Sequence, residues 1–160
     1  MSAFRHEIGR LALVLSLAFA ARAALVVAWQ ATHDPQQFEF PVSESYWHLA
    51  PDLATGAPSE FDPPDRRIHR GPGYPLVLAP LFFAFGPEDS PAVARWLGAV
   101  VGTLTVGAVY WLGRTIFDSR VALLAALAVA LLPEAIATSV LPLSDAPFGL
   151  WMVLQLALWR

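Results

Sequence analysis

Two stretches almost free of charge, residues 11–29, broken only by Arg22, and residues 96–113, restrict this chain more than any other feature. At about 1.5 Å per helical residue, each is long enough to cross a hydrocarbon core of about 30 Å. Composition agrees: 56% of residues are hydrophobic, 14% are charged, and the mean hydropathy is +0.53, far from the balance of a water-soluble domain. The ten basic residues are all arginine and face thirteen carboxylates, for a net charge of -3, the reverse of what nucleic-acid binding requires. Without cysteine, the chain has no disulfide, thiolate metal site or cysteine nucleophile.

The same reading gives an all-α integral membrane protein with about four spans. Residues 11–29 form the first. Ala18-Phe19-Ala20 also resembles a signal-peptide cleavage site, but the apolar stretch outruns a signal core and further spans follow. Residues 96–113 form the second, with Gly98, Gly102 and Gly107 spaced about a helical turn apart, as close packing in lipid favours. Residues 121–141 form the third, interrupted only by Glu134 and kinked by Pro133. Residues 146–160 begin a fourth that reaches only about 21 Å, which predicts an amino-terminal fragment or shortened product of a longer protein.

The run 76–85 is equally apolar but short and broken by Pro80, so it is predicted to be interfacial. Arg5, Arg10, Arg114, Arg120 and Arg160 then share the cytoplasmic side. The loop 31–90 faces the other side, carries nine carboxylates against Arg66, Arg67 and Arg70, and is punctuated by proline and glycine, as suits juxtamembrane helices joined by turns. This topology predicts a multi-pass protein of the cell (inner) membrane in contact with its lipids.

Three strings carry chemically useful residues. Glu44 and His48 are one helical turn apart, with Tyr46 and Trp47 between them offering surfaces for a sugar ring; the same pattern suits an amphipathic surface helix capped by Ser43. His69 and Arg70 stand in a Pro/Gly-rich turn where arginine can bind a phosphate in bidentate fashion or snorkel to headgroups. Asp145, followed by Pro147, suits a helix cap as well as a second carboxylate on the side of Glu44. Arg22 and Glu134 are costly inside spans and call for a partner, each other included. Arg95 lies at the outer end of the second span, placed to meet a headgroup phosphate or to anchor the interface.

In order and spacing, these pieces resemble the amino-terminal part of the membrane glycosyltransferases of the protein O-mannosyltransferase and aminoarabinose transferase superfamily, which have the GT-C fold and are family 39-like. The resemblance rests on Arg22, the acidic Tyr/Trp motif at 44–50, the turn at 70–75, Ala94-Arg95-Trp96-Leu97-Gly98, the segment 109–117, Pro133, Ser139 and Ser144-Asp145-Ala146-Pro147-Phe148. It implies sugar transfer from a polyprenyl-phosphate donor to a hydroxyl acceptor at the non-cytoplasmic face, with inversion. Glu44 then stands where the family commonly has aspartate, as the acid that accepts the acceptor proton, and Asp145 matches the second acidic position. Arg70, with His69 and Arg95, would meet the departing phosphate. No metal is assigned, although in metal-using relatives a divalent cation would fall to Glu44 and Asp145. The competing expectations are a shortened, inactive membrane protein that binds lipid or protein, and a small transporter subunit.

Overall fold

The computed structural model describes residues 2–34, 38, 40–55, 71–85 and 91–159. Within them the chain forms seven helices and no strand: α1 (Ser2–Thr32), α2 (Pro41–Thr55), α3 (Gly73–Phe85), α4 (Pro91–Ile116), α5 (Ser119–Leu131), α6 (Pro133–Val140) and α7 (Asp145–Leu158). The all-α membrane architecture expected from hydropathy is the one observed. Two helices, Arg5–Thr32 within α1 and Ala92–Ile116 within α4, are long and apolar enough to cross a membrane, and α5 with α6 makes a third crossing if the bent pair is one span.

α1 and α4 run antiparallel. Near the start of α1, Glu7 accepts a hydrogen bond from Tyr110 and forms an ion pair of 3.0 Å with Arg114 at the end of α4. Between these helices and α5 lies a seam of small and branched side chains, Val14, Ala18, Val106, Ala126 and Ala130. Ala122, Ala126 and Ala130 recur every fourth residue on α5 and are fully buried, so the helix backbones approach closely, as association without a hydrophobic driving force requires. Gly113 completes the α4–α5 hairpin, where an added Cβ would lie 2.9 Å from Ala122 Cα.

Asp118 turns the chain between those helices. Its Oδ1 accepts from the backbone N–H of Arg120 at 2.8 Å and of Val121 at 2.9 Å, satisfying two donors that a helix start leaves unpaired. These backbone bonds, Val121 first, hold the Asp118 carboxyl below the usual carboxylate range. A folded-state value depressed in this way supplies stability above the unfolded carboxylate range, and that stability is lost as pH falls through the folded value. Asp118→Asn should therefore keep the cap while flattening the acid limb of a thermal-stability profile, and Asp118→Ala should also lower the plateau; an unchanged acid limb in Asp118→Asn would refute this.

The third span is broken as Pro133 foretold, with a 59° bend between α5 and α6. Leu132 is in extended conformation there, ending one helix and opening the next. α6 leans on α4 at the two glycines: a Cβ on Gly98 would fall 2.0 Å from the Ser139 carbonyl oxygen, and one on Gly102 would lie 2.6 Å from both Arg22 Nε and Ser139 Cβ. Val26, Ala99 and Val140 close a small core beside them.

α2 and α3 form a separate layer over the amino-terminal end of α4. Trp47, Ala50, Tyr74, Leu78 and Phe82 make its core together with Ala94. The run read as interfacial is one continuous helix through Pro80, its apolar face turned onto α2. α2 starts at Pro41, two residues before the expected cap, so Ser43 lies inside the first turn with its hydroxyl buried instead of capping.

Candidate functional site

Glu44 lies in the first turn of α2, where a carboxylate suits the helix dipole, and its side chain is exposed. Tyr46 meets Tyr74 edge-on at 5.3 Å between ring centroids. Burial, and then the neighbouring Tyr46, pushes the Tyr74 hydroxyl above its ordinary value, so it stays neutral. Trp47 is only 7% exposed, its ring packed 4.6 Å from Phe82 and 6.3 Å from Phe38. It anchors the layer that carries Glu44 and the half-buried Tyr46 and His48. His69 and Arg70 lie outside the described residues. Arg95 is fully buried near the amino-terminal end of α4, one residue from the core of this layer.

Asp145 is the first residue of α7, after the cap position of Ser144, whose side chain makes no capping bond. The expected capping role of Asp145 is thus replaced by a place in the first turn, with the carboxylate exposed. It borders a cavity of about 180 Å³ that Arg22, Thr105, Thr138, Ser139 and Gly149 also line. Along α4, this cavity lies roughly 12 Å from the α2–α3 layer, the rise of the eight residues from Ala94 to Gly102. Among the described residues no hydrogen bond, ion pair or common cavity joins Glu44 to Asp145, and no group of three or more His, Asp or Glu could hold a metal ion. The two carboxylates do not by themselves make a cation site.

Arg22 is partnered inside the bundle, as a charge in a span requires. It does not pair with Glu134, which points outward from α6. Only 1% exposed, the guanidinium donates from Nε to Ser139 Oγ at 3.1 Å and from Nη1 to the carbonyls of Ala18 at 3.0 Å and Ala130 at 3.5 Å. The helix break at Pro133 leaves carbonyls at the end of α5 without their usual donors, and the arginine supplies one. The signal was present in sequence as a charge in a span and a glycine pair opposite, but nothing linear connects Arg22 to Ser139, 117 positions away.

A bundle of apolar helices, with a two-helix layer over one end and a buried cation and an exposed carboxylate lining one cavity, defines an integral membrane protein. The family model described as Oligosaccharyl transferase STT3, N-terminal, matches residues 37–159, well over half of the chain, and the chain belongs to that family. It is thus a glycosyltransferase of the GT-C class, as the motifs suggested, although the match is to this branch and not to the protein O-mannosyltransferase and aminoarabinose transferase branch. No curated protein and no solved structure matches the chain.

Proposed function

We propose that this chain supplies part of the active site of an inverting transferase that moves a saccharide from a polyprenyl-phosphate donor to an acceptor, read from the sequence as a hydroxyl, at the non-cytoplasmic face of the cell membrane. Membership of an oligosaccharyl transferase family, with its lipid-linked donors, supports the substrate class. The observation that carries the reading is the position of Asp145, exposed at the head of α7 in the half of the bundle that the Glu44 layer caps.

In this reading the acceptor oxygen attacks the anomeric carbon opposite the phosphate. The new C–O bond forms as the sugar–phosphate bond breaks, and the acceptor proton passes to the Glu44 carboxylate. Asp145 orients the acceptor. The departing polyprenyl phosphate keeps the electron pair of the broken bond, and its charge is met by Arg70 with His69, while Arg95 adds a fixed positive charge beneath the layer. Tyr46 and His48 border the sugar, and Trp47 fixes their helix.

Sidedness tests the arrangement. The chain has no cysteine, so single cysteines at positions 44 and 145 report alone. Both should react with a membrane-impermeant thiol reagent from the non-cytoplasmic side, whereas cysteines at 5 and 120 should need permeabilisation; labelling of 44 and 145 from opposite sides would end the proposal. The pairing of Glu7 with Arg114, which gathers the arginine-bearing helix ends at one end of the bundle, supports the expected pattern. Arg70→Ala should weaken binding of free polyprenyl phosphate about tenfold, the loss of one charge-assisted contact, and equal affinity would remove Arg70 from the site.

A further inference from the structure

Between Arg22 and Asp145 the cavity has an unusual balance of hydrogen-bonding groups. Thr105 donates its hydroxyl hydrogen to the Val101 carbonyl at 3.0 Å, Thr138 to Glu134 at 2.8 Å, and Ser139 to Ile136 at 2.8 Å. With their hydrogens held by their own helices, Thr105 and Thr138 offer the cavity only lone pairs. Asp145 likewise accepts when ionised. Arg22 is the strong donor: Nε and Nη1 are engaged, and the three bonds leave Nη2 without a hydrogen bond among the described residues.

That inventory selects among ligands. A phosphate would find one donor group and would face a carboxylate and acceptor oxygens. An ammonium would face a guanidinium. A neutral ring bearing several hydroxyls can donate to the threonines and Asp145 and accept from Arg22, with its C–H faces against the glycine and alanine backbone of the remaining wall. A cavity of about 150 Å³ holds benzene, a bare six-membered ring, and this one, about 180 Å³ and open on one side, limits the occupant to a single ring. We infer that the Arg22–Asp145 cavity is a binding site for one neutral monosaccharide unit of a transferase substrate. The inference deepens the proposed function by giving Asp145 its saccharide neighbour.

Gly149 provides the test, because it lines the cavity and a Cβ added there meets nothing within 4 Å, so Gly149→Val adds bulk at the cavity wall with no clash at Cβ. Full-length protein in nanodiscs would be titrated with methyl α-mannoside, methyl α-glucoside, methyl arabinoside and inorganic phosphate, read by tryptophan fluorescence. At least one glycoside should bind, and Gly149→Val and the near-isosteric Thr105→Val should each weaken it about tenfold or more with unchanged thermal midpoints; Gly107→Ala, away from the cavity, should leave it alone. Absence of glycoside binding to the natural chain, undiminished binding in Gly149→Val, or displacement of the glycoside by phosphate would overturn the assignment. In active membranes the substrate whose KM rises in Gly149→Val identifies the source of the sugar, donor or acceptor, and an unchanged KM for both would break the link to transfer. Because the titration needs no turnover, glycoside binding lost in Gly149→Val alongside full activity in Glu44→Gln and Asp145→Asn would leave the cavity standing and remove the proposed chemistry.

Discussion

Glu44→Gln should reduce sugar transfer by roughly 10²–10⁴-fold, the range for loss of a positioned acid–base group, and Asp145→Asn by roughly 10²-fold, the scale of a misplaced reactant, in membranes where the natural protein is active. Both substitutions keep size and hydrogen-bonding shape while removing a charge. Both side chains are exposed, so neither change leaves a buried group unsatisfied and membrane insertion and thermal midpoint should stay as they were. The two should differ in kinetics. Loss of the proposed proton acceptor at Glu44 should act on the chemical step and lower kcat, whereas loss of Asp145, proposed to orient the acceptor and bordering the cavity, should also raise KM. Unchanged turnover in both variants would defeat the catalytic assignment and favour a lipid- or protein-binding role for the layer over α4.

Gly98→Ala should be the most damaging small change in the bundle. The new methyl carbon would stand 2.0 Å from the Ser139 carbonyl oxygen, a backbone atom that cannot move without carrying α6 with it. Overpacking of this kind costs about 1–3 kcal/mol and sometimes more, against which the better helix propensity of alanine offsets only about 1 kcal/mol. α6 must retreat from α4, which pulls Ser139 from Arg22 Nε and disturbs the connection to Asp145. Activity and thermal stability should therefore fall together. Gly107→Ala is the matched control, since its methyl would lie 3.6 Å from Leu15 Cδ2, an ordinary contact, and the midpoint should hold or rise slightly. Equal midpoints for the two variants would show that α4 and α6 do not pack as described.

Much of this architecture could be read from linear sequence. The spans 11–29 and 96–113 follow from length and hydropathy alone, since a peptide backbone in hydrocarbon must bond to itself and an apolar helix does so without help from the rest of the chain. The kink at Pro133 is local too, a matter of a missing N–H and a ring. Capping was less legible: Ser43 and Asp145 each have a cap's composition, but the helices begin two residues before the one and directly at the other. Propensity tolerates such shifts, and packing around Trp47 and Pro147 settles them.

Charges inside the membrane were decided elsewhere. From sequence, Arg22 and Glu134, the two ionisable groups of otherwise apolar spans, called for a partner, a cavity or the bundle interior, with each other as one option. The fold turns Glu134 outward and gives Arg22 to Ser139 and to carbonyls of two helices. The composition of Trp47 marked it as aromatic and surface-seeking, yet the α2–α3 layer buries it against Phe82. Sequence by itself determined which segments enter lipid, because transfer free energy is a sum over neighbouring residues. Only the tertiary structure decided what each polar group meets, because the cost of burying a guanidinium depends on acceptors that arrive from 108 and 117 positions away, once glycines let the helices come close enough to offer them.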